Sequence, residues 1–320
     1  MKSRTPVLLG VVALVAAAVC APWPSAAQED APVIGLFVVR HDLATGDTAL
    51  QILPIATGSG GEVRPVRFFP RREGEKAEAD SLLKVHPAYE VFRRGERIAS
   101  FRVDEVVRAP FYCSELQVGQ GRAELGKDVS ALVRDSAALS WSTSVDGQPT
   151  RPRLTLLLAL DASARAVGTQ SRSRPLDVPL SEDETSTLTE AAFRALVSSG
   201  GAVERERVRI EDRRAYDFDL DGVPEHVVVA AADPGRGRRT VLLAGRFRGG
   251  RWLPLAGRGH INSRVDWGRG VRLLDVLDLD GDAIPEVVIE IGGYEAFRYE
   301  VLAYTAEGLE PVFSEVLFGC

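Results

Sequence analysis

The sequence predicts a mainly β protein. It has an N-terminal β domain of sandwich, barrel or degenerate-blade form, one connecting helix, and a C-terminal pair of four-stranded, propeller-blade-like repeats. Three observations carry this reading. Short β-branched and aromatic runs, separated by turn residues, recur along the chain. One segment near residue 181 has a helical apolar period with start and stop signals. Two nine-residue acidic stretches, Asp217–Glu225 (DFDLDGVPE) and Asp278–Glu286 (DLDGDAIPE), stand 61 residues apart, and each runs into a β-branched segment.

The 320 residues, 45% hydrophobic and 26% charged, are enough for one or two domains with real cores. The formal net charge of −6 argues against non-specific nucleic-acid binding, which needs a surplus of Lys and Arg to displace counterions. Residues 1–27 read as a signal peptide: Lys2 and Arg4 precede the apolar run Val7 to Val19, and Ser25-Ala26-Ala27 offers small residues before Gln28. That run is short of the ~20 residues that span a bilayer as a helix. The mature chain is therefore expected to be exported, periplasmic or secreted, without a transmembrane segment. Cys20 leaves a lipoprotein anchor open, although Val19 is a poor residue to precede a lipidated cysteine. If Cys20 leaves with the leader, Cys113 and Cys320 remain, and an even count in an oxidising compartment predicts a disulfide. Two unpaired thiols are the alternative.

Residues 28–178 form the expected N-terminal β domain. Val33–Arg40 is β-branched, Thr48–Ala56 follows a turn at Ala44-Thr45-Gly46-Asp47, and Val63–Phe69 alternates before a charged loop, Arg71 to Asp80. Tyr89–Phe92 and Ile98–Val103 flank the turn Arg93-Arg94-Gly95-Glu96. Ala138–Val145 and Leu154–Leu160 are set about Asp146-Gly147. Ala162 to Leu180, polar and Pro-containing, reads as a linker. In the helix and connector, residues 179–202, Ser181 and Glu184 form a capping box, Leu188, Ala192, Ala195 and Leu196 an apolar stripe, and Gly200-Gly201 a stop. Residues 203–320 hold the duplication. Strands Arg213–Phe218, Val227–Ala232, Thr240–Phe247 and Trp252–Leu255 correspond to Val271–Leu277, Val287–Ile291, Arg298–Tyr304 and Leu309–Phe313.

Alternating Asp-x-Asp-x-Asp can point three carboxylates at one centre. Two like charges 4 Å apart repel by about 4 kcal/mol at an effective dielectric of 20, and a hard divalent cation reverses that sign. Calcium takes six to eight oxygens in flexible geometry. Each loop supplies side chains at positions 1, 3, 5 and 9 and a backbone carbonyl near position 7. Zinc is disfavoured because no His or Cys stands among the acids. His226 follows Glu225, but on a strand its side chain should point away from the loop. An EF-hand is excluded: position 12 is Val228 or Ile289, inside a β-branched run, and position 6 of the second loop is Ala283. A solvated Asp-Gly turn is the plainer reading, weakened by the same proline, glutamate and apolar exit occurring twice in phase.

Both loops resemble the calcium loops of FG-GAP/VCBS-type repeats, the blades of integrin-like β-propellers. The resemblance covers Val203 to Cys320. It implies up to two structural calcium ions, held by Asp217, Asp219, Asp221 and Glu225 with the Val223 carbonyl, and by Asp278, Asp280, Asp282 and Glu286 with the Ile284 carbonyl. Glutamate at position 9 departs from the more usual aspartate. Two repeats are also too few for a closed propeller: either the first half adds degenerate blades, or the repeats pack on another β domain.

No His-Glu-x-x-His, nucleophile elbow or Walker loop appears. His260, Asn262 and Asp266 read as a loop between repeats. The cluster Arg236, Arg238, Arg239, Arg246, Arg248 and Arg251 reads as solvated strand edges, or as a patch for an acidic polysaccharide or lipid headgroup. The expected function is that of a non-catalytic, calcium-stabilised exported protein, binding a protein or glycan partner at the envelope or outside. A secreted hydrolase or lyase with the repeats as accessory module is the alternative.

Overall fold

Eighteen strands in antiparallel ladders carry the described part of the chain, residues 31–41, 48–59, 62–67, 78–111, 114–125, 144–145, 148–149, 153–198, 203–232, 238–255, 260–265, 270–292 and 296–319 of a computed structural model. The leader, Cys20, Cys113, Cys320, Gly200-Gly201 and most of Ala138–Val145 lie outside the described residues.

The first half is a barrel, which decides among the three expected forms. Its strands are β1 (Val33–His41), β2 (Thr48–Ser59), β4 (Ala88–Arg93), β5 (Glu96–Phe111), β6 (Ser114–Leu125) and β9 (Arg153–Asp161). They pair in the order β1-β9-β4-β5-β6-β2, and β2 returns to β1. Closure through β2 and β6 rests on Gln51 opposite Gln120 and Ile52 opposite Gly119. Strand β3 (Glu62–Pro65) extends β2, and β7 (Ser144–Val145) pairs separately with β8 (Gln148–Pro149). Closure removes the sheet edges that would invite pairing with another chain. Val33, Ile34 and Leu36 to Val39 are all buried along β1, so its outer face is covered as well as its inner one. Helix α1 (Glu78–Val85) begins inside the stretch expected to be a charged loop, with Ala79, Asp80, Leu82 and Leu83 buried. Just beyond it, His86 is buried in an ion pair with Asp161 at the end of β9.

The repeats form two sheets. The first runs β10 (Arg209–Tyr216), β11 (Glu225–Ala232), β12 (Arg238–Arg248), β13 (Arg251–Pro254), and the second runs β15 (Gly270–Leu277), β16 (Glu286–Gly292), β17 (Ala296–Thr305), β18 (Gly308–Gly319). The stretch holding His260 and Asn262 is not a loop: β14 (His260–Val265) pairs with the first half of β12, leaving the second half to β13.

The layers stack in one direction. The expected helix, α3 (Glu182–Ser198), buries Leu188, Ala192, Ala195 and Leu196 against Val228, Ala230, Val241 and Leu243 of the first sheet. Its capping box is formed, with the Glu184 amide donating to Ser181 Oγ at 3.2 Å and the Ser181 amide donating to Glu184 Oε2 at 3.0 Å. The other face of that sheet (Tyr216, Val227, Val229, Leu242) meets Val276, Val287, Ile289 and Leu302 of the second. The second sheet in turn lays Leu277, Val288, Tyr299, Val301 and Phe313 into the barrel core. Two blade-like sheets thus lie face to face, with a helix and a barrel covering their outer faces. Each apolar face is buried without further blades, which answers the shortfall in repeat number.

Candidate metal centres

The acidic loops are the β10–β11 and β15–β16 connections, and they fold by the same rules. Apolar position 2 turns inward: Phe218 is buried and stacks on Tyr304 at 5.3 Å between ring centres, while Leu279 is buried in the barrel core. The acids at positions 1 and 3 are thereby turned the other way.

Four side chain–to–main chain hydrogen bonds recur. The position 6 amide donates to the position 1 carboxylate (Gly222 to Asp217, 3.2 Å; Ala283 to Asp278, 3.0 Å). Position 5 donates to position 3 (Asp221 to Asp219, 3.2 Å; Asp282 to Asp280, 3.0 Å). Position 7 donates to position 5 (Val223 to Asp221, 2.7 Å; Ile284 to Asp282, 2.6 Å). Position 2 donates to the glutamate at position 9 (Phe218 to Glu225, 3.1 Å; Leu279 to Glu286, 2.8 Å). Both loops also take left-handed backbone at positions 4 and 6: Leu220 (φ 60°) and Gly222 (φ 81°) in one, Gly281 (φ 86°) and Ala283 (φ 72°) in the other. The glycine has changed places while the conformation has not.

These bonds occupy one oxygen of each carboxylate and leave the other, except at Asp278, whose Oδ1 also accepts from the Gly281 amide at 2.7 Å. Oxygens of Asp217, Asp219 and Glu225 lie within 4.8 Å of one another, as do those of Asp278, Asp280 and Asp282. Asp221 and Glu286 stand outside these trios. Asp221 leans on Arg246, while Glu286 lies buried beneath its loop. Asp217 Oδ1 is buried without a hydrogen-bond partner. An all-oxygen donor set, with carboxylates converging and no nitrogen or sulfur ligand, fits a hard cation such as calcium. Burial pushes Glu286 up to about 9 and Glu225 to about 7, each against the pull of the position 2 amide. It also raises Asp280. Asp221 is held low, first by the Val223 amide, with Arg246 helping against a smaller cost of desolvation.

The surroundings of the loops differ. The first is exposed at Asp219, Leu220, Asp221 and Val223. Tyr304 donates to Asp219 Oδ2 at 3.1 Å, and Arg246 Nη1 stands 2.8 Å from Asp221, 3.4 Å from Glu225 and 3.7 Å from Asp219. The second is roofed by the stretch expected to be a plain linker. There α2 (Arg165–Gly168) and a 3₁₀ turn (Gln170–Arg172) follow β9. Gln170 Nε2 donates to the Asp278 carbonyl at 2.6 Å, and Gln170 Oε1 and Ser173 Oγ accept from the Asp278 amide at 3.1 and 3.2 Å. The Thr169 hydroxyl donates to Asp278 Oδ2. From the other side, a Cβ on Gly58 of β2 would fall 2.6 Å from the Leu279 carbonyl oxygen, so only glycine allows the barrel this close.

Thr169, Gln170 and Ser173 carried no signal, since their partner lies more than a hundred residues away. Arg246 belongs to the arginine cluster that the sequence sets on strand edges, where Arg238 is paired with Glu211. His226 turns away from its loop as expected, buried against Phe247 and Trp252 with Nδ1 3.1 Å from Arg213 Nη1. Desolvation and that arginine hold it down at about 4. Comparison with protein-family models, curated proteins and solved structures finds no match to this chain.

Proposed function

We propose that this chain is a non-catalytic exported β protein whose acidic loops hold calcium as a structural ion, and whose surface binds a protein or glycan partner at the cell envelope or outside the cell. One observation carries the calcium part: two loops differing in four of nine residues keep the same four hydrogen bonds and the same two left-handed positions. Solvated turns need no such agreement, whereas a loop that must offer converging oxygens does. The ion would pin the hairpin between the first two strands of a sheet, a role in stability and not in turnover. The partner-binding part rests on the absence of a catalytic motif in the sequence and on the expected export.

Thermal unfolding in millimolar calcium against excess chelator tests the proposal. Binding to the folded state alone stabilises by about 2.7 kcal/mol at a hundredfold excess over Kd, so the melting temperature should rise. The rise should vanish when both loops are cut, by Asp217→Ala/Asp219→Ala with Asp278→Ala/Asp280→Ala. Identical, unmoved curves for the parent and this variant would remove calcium from the account.

A further inference from the structure

Two arginine-rich stretches that lie far apart in the chain meet at one place. Residues 93–97 (RRGER) make the turn between β4 and β5, and residues 171–174 (SRSR) end the segment that roofs the second acidic loop. The turn is tight, with left-handed backbone at Arg94 (φ 52°) and Gly95 (φ 69°). Asp275 of β15 pins it: this buried carboxylate accepts from the Gly95 amide at 3.1 Å and pairs with the buried Arg214 at 3.1 Å. A side chain at position 95 would run into the Ser173 carbonyl, so glycine is what lets the two stretches touch. Together they carry five arginines and one glutamate, in a chain whose formal net charge is −6. Arg94, Arg97, Arg172 and Arg174 are all exposed. Arg97 stands 3.4 Å from Glu90 and Arg172 donates to the Ala283 carbonyl, while among the described residues no carboxylate is paired with Arg94 or Arg174.

A cavity of about 470 Å³ opens where the stretches meet. Phe92 and Val167 supply apolar wall, Arg97 enters the lining from the turn and Arg174 from the segment, and Ser171 adds a hydroxyl. We propose that this cavity binds an acidic oligosaccharide, a sugar bearing carboxylate or sulfate groups. Its volume falls within the range of small-ligand sites, about 300–1,000 Å³. The apolar wall suits the C–H face of a sugar ring, and a guanidinium matches a carboxylate or sulfate with paired donors. A flat bilayer surface would not enter such a concavity. The arginine cluster of residues 238–251 is less free to act, since Arg238 and Arg246 are already paired with Glu211 and Asp221. This assignment rests on the partner-binding reading given above and narrows that partner to an acidic glycan.

Fluorescence anisotropy of the purified protein tests it, with labelled oligogalacturonate, a sulfated dextran oligomer and a neutral dextran oligomer as probes, in chelator so that no metal bridges protein and probe. The parent should bind at least one acidic oligomer and not the neutral one, more weakly as salt rises. Arg97→Ser/Arg174→Ser should lose at least tenfold in affinity, and the control Arg248→Ser/Arg251→Ser, two exposed arginines of the other cluster, should bind as the parent does. Near-ultraviolet dichroism confirms folding; if the double variant does not fold, Arg174→Ser alone takes its place. Unchanged binding in the cavity variant, or a loss confined to the control, would overturn the site. Binding of the neutral oligomer alone would overturn the acidic class and leave a glycan partner standing. Binding of no oligomer, with or without sedimentation on phosphatidylglycerol vesicles, would overturn the proposal and remove the glycan from the partner reading.

Discussion

Truncating Gln170 to alanine tests whether the 165–173 segment holds the second acidic loop in place. The side chain is buried and makes four contacts: Nε2 to the Ala166 and Asp278 carbonyls at 2.7 and 2.6 Å, Oε1 from the Asp278 amide and the Ser173 hydroxyl at 3.1 and 2.6 Å. Not all of these partners are stranded by the change. The Ala166 carbonyl keeps Thr169, and the Asp278 amide keeps Ser173 Oγ. The Asp278 carbonyl, on a buried residue, loses its side-chain donor. One such unsatisfied group costs about 1–3 kcal/mol, and the lost hydrogen bonds add about 1 kcal/mol each. The sum, after the surviving partners are discounted, is about 3 kcal/mol. At about 2–4 °C per kcal/mol for a chain of this class, that is a fall of roughly 6–12 °C in melting temperature. The control is Arg172→Ala, whose exposed guanidinium reaches the Ala283 carbonyl at 3.1 Å and should matter by less than about 0.5 kcal/mol. Calorimetric melts of both variants in chelator keep metal linkage out of the comparison. If Gln170→Ala melts within a degree or two of Arg172→Ala, the segment merely lies over the loop, and the reasoning fails.

Two further outcomes follow from the same geometry. The buried His86–Asp161 pair lowers the Asp161 carboxyl: burial pushes it up, but the imidazole and Ser163 outweigh that cost. An acid depressed on folding contributes stability above its unfolded pKa, lost as pH falls through the folded value, so parent stability should drop below about pH 4. Asp161→Asn should be less stable than the parent at pH 7, by up to 3–5 kcal/mol, and should show a flatter acid limb; parallel denaturant curves from pH 7 to pH 3 would expose the error. Ala283→Gly relieves a left-handed alanine at φ 72° and should stabilise by up to about 1 kcal/mol in urea unfolding, while Gly281→Ala, at φ 86° and with its new Cβ 3.5 Å from Ala166 N, should cost at least as much.

The parts of this protein that could be read from its sequence are those fixed by neighbours in the chain. The α3 stripe and cap depend on spacings of three and four residues, and all four stripe residues are buried. The paired strands of the repeats depend on β-branched runs that end at Asp, Gly and Pro, and the loops depend on Asp side chains bonding amides two residues on. What escaped was set by contacts across the fold. Strand β6 carries Gln117, Gly119, Gln120 and Gly121, a composition that does not announce a strand, yet it closes the barrel because its two long neighbours need a partner. The segment 165–173 is short and polar, and it takes its shape where it meets Asp278.

Arg246 is the intermediate case, and it shows what a duplication can disclose. Aligning the strands after each loop places arginine in one copy and alanine in the other at the residue facing the ninth position. That difference means little until the sheet register is known, because one residue of slip would turn the side chain to the opposite face. With the register fixed, the two loops become a comparison within one molecule: the same backbone and the same arrangement of acids, with a guanidinium against the acids of one copy and a half-buried alanine across from the ninth position of the other. The acids specify the shape of the loop, and the residue across the ladder decides whether a fixed positive charge stands against them.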